Sequence, residues 1–264
     1  MKRKFKIKLE TLVIEITRRC NMACAHCMRG NSQKIDLDIR KLRIFLRGVI
    51  SINRLVFSGG EPSLNPKAIK QVLEICKEYG IRVNFIQLST NGKEVSEEFL
   101  NAMTEWHEYC RTFDSKKTCY IYLSKDGFHE SVPEKNIERL QGLPMFFRIM
   151  EENYGGNANG TGLTGPQLLR RGRAKNISFA DYDKPQYYFA QGTVADSGVI
   201  NVDNEIYFTV NGDVILDCDY EYGTEEQSRM CRWDDAQEFF EKASQSGEKK
   251  SQNDVASFCI RAYR

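Results

Sequence analysis

The chain has 264 residues, with 38 Lys and Arg against 36 Asp and Glu and a formal net charge of +2, so bulk charge does not single out a polyanion and nucleic acid is not an expected partner. Hydrophobic residues make up 41% and charged residues 28%, a balance that suits a water-soluble globular fold and excludes wholesale disorder. No run reaches the ~18 apolar residues of a membrane span, and Glu15, Arg18 and Arg19 break the apolar run behind the basic start before a leader core forms. The expectation is a cytoplasmic protein without a membrane partner.

In chain order, Leu12 to Thr17 alternates as a short strand, and Arg18 to Gly30 has no helical period. Residues 36–50 space Leu37, Ile39, Leu42, Ile44, Leu46 and Ile50 as a helix, and RLVFS at 54–58 is the next strand. SGGEPSLNP then leads into a helix, KAIKQVLEICKEYG, with Gly80 placed to end it, and the strand IRVNFIQLS ends at Ser89-Thr90-Asn91-Gly92. The same beat gives a helix from about Val95 to Trp106, a strand at 118–124, a helix around Glu134 to Leu140 and a strand at 144–150. Strands alternating with helices imply a parallel sheet with right-handed crossovers.

The period fails at residues 151–165, EENYGGNANGTGLTG, whose five glycines read as a mobile loop, either plain surface or a lid over a substrate. Beyond Arg173, EIYFTV and DVILDC flank Asn211-Gly212, a strong hairpin signal, and a helix is expected from Asp234 to Ala243. The fold expected is α/β: a partial (β/α)6 TIM-like barrel over residues 1–175 and a small β-rich C-terminal extension over 176–264.

Nine cysteines in a chain without an export signal form a poor disulfide framework and point to metal, redox or catalytic use. Cys20, Cys24 and Cys27 sit in the loop after the first strand as C-x3-C-x2-C. Closed zinc sites take four protein ligands, whereas three thiolates on a four-iron cube leave one iron open to a substrate or cofactor. A zinc site completed by His26 or by an isolated cysteine is the alternative.

The segment Cys20-Asn-Met-Ala-Cys24-Ala-His-Cys27 resembles the cluster loop of radical S-adenosylmethionine (SAM) enzymes. Gly59-Gly60-Glu61-Pro62 after the second strand, Ser89-Thr90-Asn91-Gly92 after the third and Ser124-Lys125-Asp126-Gly127 after the fourth resemble three further motifs of that family, in its order. Loops after parallel strands share one barrel mouth, so these four segments are expected to meet. The resemblance implies a [4Fe-4S] cluster on Cys20, Cys24 and Cys27, with SAM chelating the open iron through its amino and carboxylate groups. Gly59, Gly60 and Glu61 are implied around the SAM ammonium, and Ser89, Asn91, Ser124 and Asp126 near its ribose, although Asn91-Gly92 and Asp126-Gly127 also serve as turns. It further implies an external one-electron donor, reductive cleavage of SAM to a 5′-deoxyadenosyl radical and hydrogen abstraction from substrate, with no catalytic acid or base. A peptide or protein substrate is expected because of the extension, with a small metabolite or nucleotide as runner-up; a zinc- or cluster-stabilised binding module is the non-enzyme alternative.

His26 is expected either beside the cluster and adenine or in no contact with them, and His107 and His129 at the surface or at helix ends. Cys76 and Cys119 read as buried thiols, and Cys110 has no usable context. Cys218, Cys231 and Cys259 lack the paired spacing of a second cluster, so the hairpin reads as a cap or docking element. Arg170, Arg171 and Arg173 form a basic patch, either solvated or shaped for a carboxylate or phosphate.

Overall fold

The computed structural model describes residues 6–113, 119–150, 170–177, 188–195, 197–216, 220–245 and 255–262. Strand β1 (Lys6–Thr17) is followed by α1 (Ile39–Phe45), β2 (Val49–Gly59), α2 (Pro66–Tyr79), β3 (Arg82–Thr90), α3 (Glu97–Arg111), β4 (Tyr120–Ser124), α4 (Glu134–Gln141) and β5 (Phe146–Met150). Strands β1 to β5 pair in sequence order, all in parallel. A helical crossover between each pair allows this, because parallel neighbours need a long connection. The α/β reading holds, and the sheet is open, as a partial barrel is.

The later strands are β6 (Tyr188–Ala195), β7 (Val199–Phe208), β8 (Asp213–Leu216), β9 (Arg229–Arg232) and β10 (Val255–Ala262), with α5 (Ala236–Gln245) before the last. Strand β7 lies parallel to β1 on the edge that β2 leaves free. The sheet therefore runs β10-β6-β7-β1-β2-β3-β4-β5, with β8 and β9 attached beside β7. Residues after 175 continue the same sheet, and a sixth parallel strand stands next to β1. The expected hairpin joins β7 to β8. Its turn holds Gly212 at φ +84, and Gly212 N donates to Thr209 O (2.9 Å).

Local chemistry explains most boundaries. Helix α2 starts with Asn65 capping Ala68 N and Pro66 in the first turn, and stops at Gly80 in the left-handed region. Ser96 caps α3 through Phe99 N, with Glu97 and Glu98 at its positive end. Two elements differ from expectation. Strand β1 begins at Lys6 because KIKLE alternates exposed and buried residues, a period-two pattern that its charges mask in the sequence. Helix α1 is short because Asp38 caps its start and Gly48, at φ +90, turns the chain into β2. The apolar spacing over 36–50 thus spans a loop, a helix and a strand.

One face of the sheet is packed by the helices, with Leu12, Ile14, Phe57, Val72, Phe99 and Trp106 in a continuous core. On the opposite face Val13, Tyr207, Ile215, Tyr220 and Tyr222 form a smaller cluster. Trp106 is fully buried, donates its indole N–H to Ile69 O (3.0 Å) and meets Phe57 edge-on at 5.5 Å. His107, expected at the surface, is buried on α3 beside this face, because it follows Met103 by one helical turn. No helix of the described residues is long and apolar enough to cross a membrane. Trp106→Ala is expected to cost about 3–5 kcal/mol, the usual range for emptying a large aromatic site, read as a lower urea midpoint of the protein without cofactor.

Candidate cofactor-binding site

The loop after β1 leaves the sheet and returns beside itself. Arg18 N donates to Ile35 O (2.9 Å), Gln33 N to Arg18 O (3.0 Å) and Leu37 N to Ile16 O (3.1 Å), so residues 18–37 form a closed lobe over the sheet end. Cys20, Cys24 and Cys27 lie in this lobe, half-buried. Burial pushes the Cys24 thiol up to about 11, with the neighbouring Cys20 and Cys27 adding to the rise and Arg173 opposing it.

The end of β2 crosses directly against this lobe. Gly60 N donates to Thr17 O (2.7 Å) and Glu61 N to Arg19 O (2.8 Å). A Cβ on Gly59 would stand 2.2 Å from Thr17 O, and one on Gly60 would stand 2.3 Å from Arg19 O. Both glycines are therefore required by the approach of two backbones, before any ligand enters. Glu61 is buried, and its carboxylate accepts from Ser63 N (3.0 Å), Thr90 Oγ1 (2.7 Å) and Asn91 N (2.7 Å). Burial raises its pKa, and these donors pull it back. The side chain thus staples the loops after β2 and β3 together.

Asn91 donates from Nδ2 to Asn21 Oδ1 (2.9 Å) and accepts from Lys93 N (3.0 Å), while Lys93 Nζ donates to Asn21 O (3.0 Å). The loop after β3 is thereby fastened to the cysteine lobe. After β4, Asp126 Oδ1 accepts from Phe128 N (2.8 Å) and from His129 Nδ1–H (2.7 Å). His26 Nε2 lies 3.8 Å from Asp126 Oδ2, and the His26 ring packs at 4.9 Å on Phe128 and 5.0 Å on His129. Burial lowers the His26 pKa, against the pull of Asp126. His129 is thus part of the loop packing beside the cysteines.

These loops enclose a cavity of ≈ 260 Å³ lined by Cys20, Cys24 and Cys27, by Gly59, Gly60 and Glu61, and by Ser89, Asn91 and Ser124, with Val56, Phe57, His26, His129 and Arg173 among the remaining walls. Of the residues expected at a cofactor, only Asp126 is outside this lining. Three thiols on one wall and short hydroxyl and amide groups with bare glycine backbone on another match a cluster and an amino-acid-bearing nucleoside in donor chemistry.

The segment expected to be a separate extension holds the lobe from beneath. Buried Arg18 pairs with Glu15 (Nε–Oε2 3.2 Å) and with Glu225, and its guanidinium lies 4.6 Å over the Tyr222 ring. Glu15 also accepts from Val210 N (2.9 Å) and Tyr220 OH (3.2 Å). Arg29 sits over the rings of Tyr220 (4.1 Å) and Tyr207 (5.1 Å), and Tyr222 N donates to Arg29 O (3.1 Å). Arg173 is no solvated patch: its Nε donates to Cys24 O (2.9 Å) and its Nη1 to Gly30 O (2.5 Å). The supporting contacts are remote in sequence: Glu225 is 207 residues from Arg18, Tyr220 191 from Arg29 and Cys24 149 from Arg173. Cys231 is buried in the core, its thiol pushed up to about 12 by burial. Cys218, the side chain of Cys259 and the glycine-rich stretch 151–165 lie outside the described residues.

The glycine contacts yield a discriminating test. Gly60→Ala is expected to lower the melting temperature of cofactor-free protein by roughly 4 °C or more, since a backbone collision costs about 2 kcal/mol or above. Gly80→Ala, at φ +64 with nothing within 4 Å of the added carbon, is expected to cost only about 1 kcal/mol. An unchanged melt for Gly60→Ala would return that glycine to a purely cofactor-facing role.

Residues 14–136 match the family model of the Radical SAM superfamily. The GTP 3′,8-cyclase of Clostridium acetobutylicum is 36% identical over 93 residues, 32% of this chain and 28% of that protein. The Fe-coproporphyrin III synthase of Methanosarcina barkeri is 28% identical over 134 residues, 48% of this chain and 29% of that protein. Across the curated relatives it matches, the chain spans 28–35% of their length. Among solved structures, native anSMEcpe with bound AdoMet and Cp18Cys peptide aligns over 88% of this chain and 80% of that one, at 12% identity and a TM-score of 0.48. SuiB of Streptococcus suis bound to precursor peptide SuiA aligns over 94% and 69%, at 12% identity and a TM-score of 0.38.

Proposed function

We propose that this chain, whose residues 14–136 match the Radical SAM family model, is a radical SAM enzyme that cleaves SAM reductively and removes a hydrogen atom from an organic substrate. The superfamily's cofactors are a [4Fe-4S] cluster and SAM; when bound, they supply a carbon-centred radical at the adenosyl 5′ position. The observation that carries the reading is the convergence of three half-buried thiols, bare glycine backbone and short polar side chains on one cavity. Cys20, Cys24 and Cys27 hold three irons in this reading, and the fourth is left open.

Each remaining group has a positioning task. Gly59, Gly60 and Glu61, which line the cavity, would meet the SAM amino and carboxylate groups, and Glu61, already bonded to Thr90 and Asn91, keeps that stretch against the loop after β3. Ser89, Asn91 and Ser124 offer partners to ribose hydroxyls. His26, turned toward Asp126 and packed on Phe128, walls the cavity beside the thiols. Apolar Val56 and Phe57 in the lining help to exclude water from a radical. The electron comes from an external one-electron donor.

The finer reading is a peptide or protein substrate. Tyr120, Tyr122 and Phe147 form an edge-on aromatic ladder on β4 and β5, with centroids 5.0 and 5.3 Å apart. Phe147 is 52% exposed, and Arg148 lies 5.8 Å over both Tyr122 and Phe147. Such a surface suits apolar and aromatic side chains beside a backbone. A nucleotide is the second reading, on the sequence similarity to GTP 3′,8-cyclases.

Anaerobically reconstituted protein is expected to bind about four irons per chain, and changing Cys20, Cys24 and Cys27 together to Ala to abolish the visible charge-transfer absorption. Retention of half or more of that absorption would place a second cluster elsewhere. With dithionite and SAM, formation of 5′-deoxyadenosine is expected to accelerate on adding a peptide pool; acceleration by GTP alone would favour the nucleotide reading.

A further inference from the structure

Arg173 joins the two parts of the chain at the cysteine lobe. Its backbone N–H donates to Cys27 O (2.9 Å). Its side chain donates from Nε to Cys24 O (2.9 Å) and from Nη1 to Gly30 O (2.5 Å) and Asn31 Oδ1 (3.3 Å). One residue therefore fixes the carbonyls of two of the three cysteines. The residue before it is pressed against the same loop: Gly172 has φ +53, and a Cβ there would stand 2.5 Å from Gly30 N and 2.7 Å from Cys27 O. The residue after it, Ala174, is fully buried and packs with Met28. Gly172 N and Lys175 Nζ both donate to Glu221, each at 2.8 Å, which ties the segment to the tyrosine-bearing stretch below.

The charge of Arg173 is placed differently from that of Arg18. Arg18 is bonded to two carboxylates, Glu15 and Glu225. The acceptors of the Arg173 side chain are two peptide carbonyls and an amide oxygen, all neutral, so among the described residues no bonded carboxylate cancels its charge. That charge stands at the thiols: Arg173 lines the same cavity as Cys20, Cys24 and Cys27, and its Nε is bonded to the carbonyl of Cys24. An electron added to a centre already ligated by three thiolates increases its negative charge, and an adjacent cation favours the added charge.

We propose that Arg173 is a positioning residue that holds the cysteine loop in its ligating shape and raises the reduction potential of the cluster. The inference rests on the reading of Cys20, Cys24 and Cys27 as ligands. It also replaces the expectation that Arg173 belongs to a basic patch, solvated or shaped for a carboxylate or phosphate.

The test uses the full chain, reconstituted anaerobically as wild type, Arg173→Gln and Arg173→Lys, without SAM. Two quantities are read: the midpoint potential by EPR-monitored dithionite titration, and the rate of iron release to a chelator. Arg173→Gln is expected to lower the potential so that the reduced-to-oxidised ratio at fixed ambient potential falls about tenfold, ~59 mV for one electron. Arg173→Lys is expected to keep the wild-type potential, because the charge remains, yet to release iron several-fold faster, because the planar fork to Cys24 O and Gly30 O is lost. A wild-type potential in Arg173→Gln, or a wild-type release rate in Arg173→Lys, overturns the proposal. If Arg173→Gln retains no cluster, the lysine variant alone decides. A wild-type protein that takes up no iron, or a triple cysteine variant that keeps it, overturns the ligand reading and this proposal with it; an intact cluster with an unshifted potential overturns this proposal alone.

Discussion

Two backbones at the sheet end approach within hydrogen-bond distance because one of them, at Gly59 and Gly60, carries no side chain there. Gly60 N reaches Thr17 O at 2.7 Å and Glu61 N reaches Arg19 O at 2.8 Å, which leaves no room for a Cβ on either glycine. That contact fixes the loop after β2 under the root of the cysteine lobe. Glu61 then carries the placement onward to the loop after β3 through Thr90 and Asn91, and Asn91 and Lys93 return it to the lobe at Asn21. The cavity lies among these three loops, with the loop after β4 and Arg173 as further walls, so much of its shape depends on a glycine pair and one buried carboxylate.

Burying that carboxylate costs free energy, and so does burying Glu15, Arg18 and Glu225. The arrangement is tolerable because their oxygens and nitrogens meet donors and acceptors, and removing a single partner from such a set is expected to cost about 3–5 kcal/mol. The partners come from remote parts of the chain: Val210 from the β7–β8 turn, and Tyr220 and Glu225 from the segment beyond it. With β7 paired along β1, the C-terminal third is both an extension of the sheet and a support for the cysteine lobe. Folding of that third and the shape of the lobe are thereby coupled.

The parts of this arrangement that are local in sequence were legible there. A motif such as Gly59-Gly60-Glu61 after an apolar run combines a strand period with a turn, and parallel strands bring their following loops to one edge whatever else the chain does. Strand and helix order through β5 followed from the same periodicity. Charged residues hid the first half of β1, where Lys6, Lys8 and Glu10 occupy the exposed positions of an alternating strand. The apolar spacing over residues 36–50 does not reveal that Gly48 interrupts it with a left-handed turn. Arg29 and Arg173 were illegible as supports because a guanidinium shows its purpose only through its acceptors, and those lie far along the chain; for Arg18 the nearby Glu15 does not reveal the distant Glu225. Even the glycines were read for the cofactor, when the nearer constraint on both is the carbonyl of a neighbouring strand end.

The central claim is that three cysteine thiolates leave one iron open, and that the glycine backbone beside it places the amino acid end of SAM on that iron. Pulsed electron–nuclear double resonance on the reduced, reconstituted protein, with SAM labelled at its amino nitrogen and carboxylate oxygen, addresses it directly. Couplings from both labels that appear on adding SAM and vanish when it is competed away are the predicted result. A reduced cluster whose spectrum is indifferent to labelled SAM would mean that all four irons are already ligated by the protein, and would contradict the account.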